Sequence, residues 1–370
     1  MPIKILTILG ARPQFIKAAT VSRAIQARDD IEEIIVHTGQ HFDANMSEVF
    51  FEQLDIPKPH HNLGIASLGH GAMTGRMLEH IEALIQQEQP DWVLVYGDTN
   101  STLAGALAAS KLQVPVAHVE AGLRSYNPAM PEEINRVLTD RISTLLLCPT
   151  ETAVNNLSRE GYPFRATTRN ASQQKQRIEK IGDVMYDAVF YYRESAKAQG
   201  SMETFQLQEK AYALCTLHRQ ENTDDTKRLN SILSALRSIA QDQPVVLPLH
   251  PRTKAKLVQE NNHDALKGLT ILDPLPYLEM QRLQMGAQLI LTDSGGMQKE
   301  AYFHQVPCIT LRDDTEWVET VEAGWNKLVG ANENAIIQAA RNAKAPTTNQ
   351  TALYGDGHAA EKVISMLTQF

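Results

Sequence analysis

Short apolar runs, rich in β-branched residues, alternate with amphipathic segments through the first 150 residues of the chain. The apolar runs predict strands at 4–10, 32–39, 91–97, 114–120 and 144–150. Amphipathic spacing predicts helices at 14–27, 71–87, 101–112 and 132–143. Continuously apolar strands that are each followed by a helix are typical of a parallel sheet covered on both faces. We therefore predict a doubly wound α/β domain over residues 1–170.

A polar, basic and Ser/Gln-rich segment at 165–177 interrupts this alternation and predicts an exposed loop or linker. A strand and a helix follow at 178–189, and the alternation resumes at residue 211. The pattern then predicts strands at 211–218, 244–250, 269–272, 287–293, 306–312 and 326–330, and helices at 226–240, 253–260, 277–285, 296–304 and 357–370. We predict a second Rossmann-like domain over 178–354, with a cleft between the two domains.

Composition narrows the classes of protein and partner. The net charge is −8 and the pI is about 5.9, so nucleic acid is not expected as the main partner. Cys148, Cys215 and Cys308 each lie in an apolar run and are expected to be buried in strands, without disulfides or metal ligation. The N-terminus does not resemble a signal peptide and no apolar run reaches a membrane-spanning length. We expect a cytoplasmic protein with no membrane partner.

Charged residues follow the first predicted strands. After strand 4–10, Arg12 precedes the predicted helix and Lys17 lies in its first turn, which suits an anion site, although a loop with solvated charges is equally compatible. After strand 91–97, Asp98 is a candidate catalytic carboxylate or a simple helix cap. The pattern leaves both alternatives open at each place.

The segment from 115 to 136, "PVAHVEAGLRSYNPAMPEEINR", holds the densest group of ionisable residues. Glu120 ends an apolar strand, where partial burial raises the proton affinity of a carboxylate. Glu132 and Glu133 open the next helix, although one acidic residue there would satisfy the helix dipole. A capped helix start with a surface salt bridge is the structural alternative. We favour acid–base chemistry, because polar groups from two segments are expected to converge.

The second half repeats this arrangement. His218 and Arg219 follow strand 211–218, and His250 and Arg252 follow strand 244–250, where solvated loops explain them equally well or better. In "DSGGMQKEA", Ser294, Gly295 and Gly296 open a helix whose bare N–H groups suit a diphosphate, and Glu300 is placed to accept ribose hydroxyls. No GxGxxG, Walker or GxSxG motif occurs, which disfavours a nicotinamide dehydrogenase, a P-loop nucleotidase and an α/β-hydrolase.

An ordered set of motifs resembles a known family. "GARPQFIK", "TGQH", "GDTNST", "HVEAGLRS", "PEEINR", "HRQEN", "DSGGMQKEA" and "TEWVE" are similar, over nearly the whole chain, to the non-hydrolysing UDP-N-acetylglucosamine 2-epimerases. The resemblance implies the two-domain glycosyltransferase-B architecture and a homodimer. It also implies that the C-terminal helix returns to the first domain, which would then comprise 1–170 and 355–370.

The resemblance implies elimination of UDP to a 2-acetamidoglucal, followed by re-addition with the proton on the other face. This route needs an acid, a base and a site for departing UDP, but no metal or redox cofactor. The matching catalytic positions are Asp98, Glu120, Glu132 and His218. The matching or neighbouring substrate positions are Arg12, Lys17, Arg219, His250, Ser294, Gly295, Gly296, Glu300 and Arg312.

The chain departs from the common family pattern. Gln14 stands where many members have Glu, and Trp317 stands where many have an Arg that serves the nucleotide, a role for which Arg312 is the candidate substitute. With these residues the chain is more similar to a subgroup of the family that acts on UDP-2,3-diacetamido-2,3-dideoxyglucuronate. A glucuronate would need an extra cation, for which the candidates are Arg76, Arg124, Arg252 and Lys299. The alternatives are a hydrolysing epimerase, a glycosyltransferase of the same fold and an inactive UDP-sugar sensor.

Overall fold

The computed structural model describes residues 2–40, 54, 56–163, 176–198, 204–259, 263–347 and 352–369. The predicted loop at 165–177 lies almost entirely outside these ranges. The chain divides into two compact units, one of Met1–Phe190 with Thr351–Phe370 and one of Tyr191–Gln350. Each unit is built around one parallel sheet.

The first unit has a seven-stranded sheet in the order β3-β2-β1-β4-β5-β6-β7. Its strands are β1 (Ile3–Leu9), β2 (Ile31–His37), β3 (His61–Asn62), β4 (Trp92–Tyr96), β5 (Val116–Val119), β6 (Leu145–Cys148) and β7 (Arg177–Lys180), all paired in parallel. The helices are α1 (Arg12–Gln26), α2 (His70–Glu88), α3 (Asn100–Lys111), α4 (Pro131–Ile142), α5 (Glu151–Arg159) and α6 (Val184–Lys197), which continues into the second unit.

The second unit has a six-stranded parallel sheet in the order β10-β9-β8-β11-β12-β13. Its strands are β8 (Ala213–Thr216), β9 (Val245–Pro248), β10 (Thr270–Leu272), β11 (Leu289–Thr292), β12 (Cys308–Thr310) and β13 (Asn326–Leu328). Its helices are α7 (Gln220–Thr223), α8 (Thr226–Ile239), α9 (Pro251–Gln259), α10 (Tyr277–Gly286), α11 (Gly295–Phe303), α12 (Val318–Glu322) and α13 (Glu333–Arg341), with a 3₁₀ turn at His263–Leu266.

The predicted α/β class and the parallel sheets are confirmed. Cys148, Cys215 and Cys308 are free and buried in β6, β8 and β12, as expected. The pattern analysis did not predict α5 or α13. Helix α5 buries only three side chains, one of them an asparagine, and α13 buries one isoleucine and two alanines, so each helix has few large apolar residues to mark it in the sequence.

Strand β7 and the first half of α6 lie in the first unit, whereas we expected the second domain to begin at 178. The reason is that β7 pairs with β6 along its whole length, so the first sheet continues past the predicted boundary. The order of both sheets places two strands side by side at a topological switch, β1 with β4 and β8 with β11. Ligands bind beyond the carboxyl ends of strands at such switches.

The C-terminal helix α14 (Ala359–Thr368) lies in the first unit and contacts α1. The buried Asp187 of α6 caps it, because its Oδ2 accepts a hydrogen bond of 2.7 Å from the Ala360 N–H. Burial raises the pKa of Asp187 to about 6 despite this bond. Within the described ranges, no helix is both long and apolar enough to cross a membrane.

Candidate active site

Gln14 links the ends of β1 and β4, the two strands at the topological switch of the first sheet. Its Oε1 accepts hydrogen bonds from the Gly10 and Ala11 N–H groups at 2.8 and 3.0 Å. Its Nε2 donates to the Tyr96 carbonyl at 2.8 Å and to the Thr102 hydroxyl at 2.9 Å. The buried amide thus joins the end of β1 to the end of β4 and the start of α3, with all four of its hydrogen-bonding positions used.

Asp98 does not cap helix α3. The cap is Thr99, whose hydroxyl accepts a hydrogen bond from the Thr102 N–H. The Asp98 carboxylate instead binds the buried guanidinium of Arg136, which donates to its Oδ2 from Nη2 at 2.5 Å and from Nε at 3.1 Å. Asn135 donates to the Asp98 carbonyl at 2.9 Å. Among the described residues no donor contacts Oδ1, so one carboxylate oxygen is anchored and the other is available for chemistry.

The two acidic residues at the start of α4 have different environments. Glu133 is buried and accepts hydrogen bonds from the Ser125 N–H and hydroxyl, the Tyr126 N–H and the Arg136 guanidinium. Its carboxylate therefore ties the preceding loop to the helix. Glu132 is half-buried beside it. Because the Glu133 carboxylate is committed to the loop and to Arg136, Glu132 is the better candidate of the pair for proton transfer.

Glu120 is buried at the end of β5 and forms an ion pair with the Lys17 ammonium. The side chain of Lys17, a candidate for an anion site with Arg12, contacts the Glu120 carboxylate. Arg12 is half-buried at the first position of α1. Gly97, with φ +62°, lies against the pair, because a Cβ there would stand 3.3 Å from both Glu120 Oε2 and Lys17 Nζ. Carboxylates from the ends of β4 and β5 thus lie on neighbouring strands.

His118 and Asp140 form a buried network that the sequence analysis missed. The His118 ring nitrogens contact Asp140 Oδ1 at 2.8 Å and the Gly97 carbonyl at 2.7 Å, and neither side chain is exposed. Asp140 also accepts from Arg124, whose fork binds Glu160 on its other side. Burial by itself would raise the pKa of Asp140, but His118 and Arg124 outweigh burial and lower it.

In the second unit, Asp293 organises the loop that carries His218. Asp293 follows β11 and is fully buried. Its carboxylate accepts hydrogen bonds from the His218 N–H at 3.1 Å, the Arg219 N–H at 2.9 Å and the Asn222 amide at 3.3 Å. The His218 ring, 37% exposed, lies 5.6 Å from the exposed His250 ring, measured between ring centroids. The motif "TDSGG" gave a usable signal for Asp293, because a charged residue directly ends a buried strand.

Helix α11 begins at the switch point of the second sheet. Ser294 is its N-cap residue, but its side chain accepts no capping hydrogen bond. No atom lies within 4 Å of a Cβ built on Gly296, so the backbone there is open, whereas a Cβ on Gly295 would clash with Glu316. Glu300 is buried one turn further on and accepts a bond of 2.7 Å from Gln284. The helix start therefore has the form of an anion site.

Two predicted cations of this unit are already engaged. Arg312 is 1% exposed and donates to Glu316 and Asp314, each at 3.0 Å. Burial opposes its charge, but these carboxylates raise the pKa of Arg312. Arg312 thus holds Glu316 against Gly295. Buried Lys299 lies 3.9 Å above the centroid of the Trp317 ring, a cation–π contact.

The remaining candidate cations for a sugar carboxylate differ in position. Arg124 is buried between Asp140 and Glu160, so it is not available to a ligand. Arg76 is exposed on α2, and Arg252 lies in α9. No cluster of His, Cys, Asp or Glu suited to a metal occurs in the part of the chain that the structure describes.

Comparison with known proteins gives consistent matches over the whole chain. The family model for UDP-N-acetylglucosamine 2-epimerase matches residues 23–368. The chain is 52% identical to the Pseudomonas aeruginosa UDP-2,3-diacetamido-2,3-dideoxy-D-glucuronate 2-epimerase, over 99% of this chain and 100% of that protein. It is 44% identical to the Methanocaldococcus jannaschii UDP-N-acetylglucosamine 2-epimerase, over 99% of both chains.

Solved structures agree with these matches. The structure of the M. jannaschii UDP-GlcNAc 2-epimerase in complex with UDP-GlcNAc and UDP superposes with a TM-score of 0.89, at 44% identity and full coverage of both chains. The Neisseria meningitidis UDP-GlcNAc 2-epimerase bound to UDP-GlcNAc gives a TM-score of 0.87 at 30% identity, again over both full chains. These likenesses confirm the predicted two-domain α/β architecture of glycosyltransferase-B type.

Proposed function

Since the chain belongs to the UDP-N-acetylglucosamine 2-epimerase family, we propose that it inverts carbon 2 of UDP-2,3-diacetamido-2,3-dideoxyglucuronate without hydrolysis. It is an isomerase of the non-hydrolysing UDP-sugar 2-epimerase type. The choice of sugar rests on one observation, the 52% identity over essentially the full length to a P. aeruginosa enzyme named for that substrate. The product would be a manno-configured precursor for a bacterial surface polysaccharide.

The chemistry requires two proton transfers and a leaving group. In the forward step the carbon 2–hydrogen bond and the carbon 1–oxygen bond to UDP break, and a carbon 1–carbon 2 double bond forms. In the return step UDP adds to carbon 1, and a proton reaches carbon 2 from the opposite face. We assign these proton transfers to Asp98, Glu120 and Glu132, because Asp98 follows β4 at the first switch point and the other two follow the neighbouring strand β5.

Charged neighbours support these roles. Arg136 anchors one oxygen of Asp98 and orients the carboxylate, and Lys17 supplies a positive charge directly beside Glu120. Such fixed charges stabilise charge that develops during elimination without reorganisation at the moment of reaction. Arg12, at the start of α1, is assigned to the substrate.

The second unit is assigned to UDP. We assign the start of α11, at Ser294, Gly295 and Gly296, to the diphosphate, because the backbone at Gly296 is open, and Glu300 to the ribose. His218, with Arg219 and His250 nearby, is assigned to the departing diphosphate end, where a histidine can donate a hydrogen bond to a developing anion.

Proton NMR in D₂O tests the reaction and the sugar together. The enzyme is given UDP-2,3-diacetamidoglucuronate and, separately, UDP-GlcNAc. We expect deuterium at carbon 2 and a manno-configured UDP-sugar, with the uronate turned over faster. Free 2-acetamido sugar with UDP would place the chain among hydrolysing enzymes. No exchange with either sugar would refute the proposal.

Two variants test the catalytic assignment in the same assay. Glu120→Gln and Asp98→Asn should each lower kcat by about 10²-fold or more, because each removes a group that transfers or orients a proton. The affinity of both variants for UDP, measured by calorimetry, should remain that of the wild type. Normal turnover by both variants would contradict the assignment.

The assembly and location of the enzyme are further proposals. The family resemblance leads us to propose a homodimer and a cytoplasmic location. Light scattering after size-exclusion chromatography measures the mass against 41.2 kDa for one chain. Fractionation of cells followed by immunoblotting measures the location.

A further inference from the structure

One buried carboxylate accepts hydrogen bonds from three groups of a single seven-residue segment. Asp140 accepts hydrogen bonds from the His118 ring at 2.8 Å, the Gly122 N–H at 3.1 Å and the Arg124 guanidinium at 2.7 Å. These donors all belong to the segment 118–124, "HVEAGLR", and Glu120 lies between them. Asp140 is fully buried, so no water replaces these bonds.

The backbone that Asp140 holds is strained. Glu120 has φ +75°, a left-handed conformation that costs a residue with a side chain about 1–3 kcal/mol. The Glu120 and Ala121 N–H groups both donate to the Leu147 carbonyl, at 3.0 and 3.1 Å, and the next N–H, that of Gly122, donates to Asp140. The turn is therefore fixed on one side by β6 and on the other by Asp140.

His118 links the same carboxylate to the end of β4. One ring nitrogen faces the Asp140 carboxylate and the other faces the Gly97 carbonyl at 2.7 Å, and both of these groups are acceptors. A histidine that donates from both nitrogens is the imidazolium cation. Gly97 lies against the Glu120–Lys17 pair and immediately precedes Asp98. The chain Asp140–His118–Gly97 thus connects helix α4 to both strand ends.

We propose that Asp140 is a positioning residue, which holds Glu120 in its strained turn through Gly122 and holds the Gly97–Asp98 backbone through a cationic His118. This inference rests on the proposed function, in which Glu120 and Asp98 transfer protons. Helix α4 then orders all three carboxylates, since it carries Glu132, binds Asp98 through Arg136 and binds the Glu120 turn through Asp140.

Two substitutions break the network at different places. Asp140→Asn retains the size of the side chain, and its one oxygen can still accept from Gly122 and Arg124. Its amide N–H would face His118, which could then keep only the proton that points at Gly97 and would lose its charge. His118→Asn keeps a donor toward Asp140 but no longer reaches the Gly97 carbonyl. Glu160→Gln is the matched control, because it removes the other carboxylate on Arg124 without touching His118 or Gly122.

Steady-state kinetics on the full chain separate positioning from folding. Asp140→Asn and His118→Asn should each lower kcat by about 10- to 100-fold, because small displacements of reacting groups have effects of that size. KM should change less than about threefold and UDP affinity should hold, since the residues assigned to UDP lie in the other unit. Glu160→Gln should keep kcat within about twofold. If Asp140→Asn does not fold, the kcat of His118→Asn alone tests the inference.

NMR of protein labelled with ¹⁵N-histidine tests the charge of His118 directly. At pH 7 the signal that disappears in His118→Asn should show two protonated ring nitrogens, and in Asp140→Asn only one. A neutral ring in the wild type, or both variants with wild-type kcat, would overturn the inference. A wild-type protein that converts neither UDP-sugar would instead refute the proposed function, so the two failures are distinguishable.

Discussion

Gln14 offers a sharp test of how the switch point of the first sheet is held together. Gln14→Glu changes one side-chain N–H₂ group to an oxygen and leaves the shape unchanged. That oxygen would face the Tyr96 carbonyl at 2.8 Å, in a site where the residue is 1% exposed. Two acceptors cannot form a hydrogen bond, so the introduced carboxyl must take up a proton in the folded state.

The cost follows from the pKa difference. A glutamate has an ordinary pKa of about 4.3, so keeping it protonated costs about 4 kcal/mol at pH 7 and about 1 kcal/mol at pH 5. The folded pKa of the new carboxyl is raised, so its stability is retained below the unfolded pKa and lost as the pH rises. For a unit of this size, 1 kcal/mol corresponds to about 2–4 °C in Tm. We expect Gln14→Glu to lower Tm by about 8–16 °C at pH 7 and by a few degrees at pH 5.

The assay is thermal unfolding of wild type and variant across this pH range. Gln86→Glu, on the exposed face of α2, is the control and should change stability by less than about 0.5 kcal/mol. A Tm deficit of Gln14→Glu that is small, or equal at pH 5 and pH 7, would show that the amide does not bridge the strand ends as described.

Three further substitutions test other contacts. Asp187→Asn should raise Tm at pH 7 by up to several degrees, because the folded pKa of Asp187 is raised to about 6 and its ionisation in the folded state costs stability. The variant should therefore lose less stability than the wild type as the pH rises from about 4 to 6; an unchanged pH profile would contradict the burial argument. Asp293→Ala should lower kcat by about tenfold or more in the NMR assay of UDP-sugar turnover, since it removes the acceptor for the N–H groups that position His218; wild-type kcat would refute that role. Gly97→Ala should lower kcat by about tenfold, because its Cβ meets the Glu120–Lys17 pair, whereas Gly161→Ala, with φ +84° in open space, should affect stability alone.

Much of the fold could be predicted from periodicity. Strand β4 and helix α3 were placed to within a residue or two, because an apolar run and an alanine-rich segment leave few alternatives. Helix α5 was missed because it buries few large apolar residues. The strand that became β7 was predicted, but only its pairing with β6 shows that it belongs to the first sheet. The pattern of apolar residues within a strand does not identify the strand with which it pairs.

The candidate site was predicted less evenly. Asp98 was identified as a candidate because it follows the end of a strand. The structure excludes its alternative role as a helix cap, because Thr99 is the N-cap residue of α3. Lys17 and Arg312 are predicted at the substrate, and the structure adds the partners that the sequence did not reveal, Glu120 for Lys17 and two carboxylates for Arg312. Long cationic side chains reach several neighbours, so sequence position alone does not fix which anion they choose.

The sequence by itself determined the alternation of strands and helices, the strand ends that carry charge and the family to which these motifs belong. Only the tertiary structure decided which charges meet. Asp140 lies 22 residues from His118 and Arg136 lies 38 residues from Asp98, and both pairs form because α4 packs beside the ends of β4 and β5. Burial then removes water from these groups, so each must find a protein partner, and that partner is set by packing and not by the order of residues along the chain.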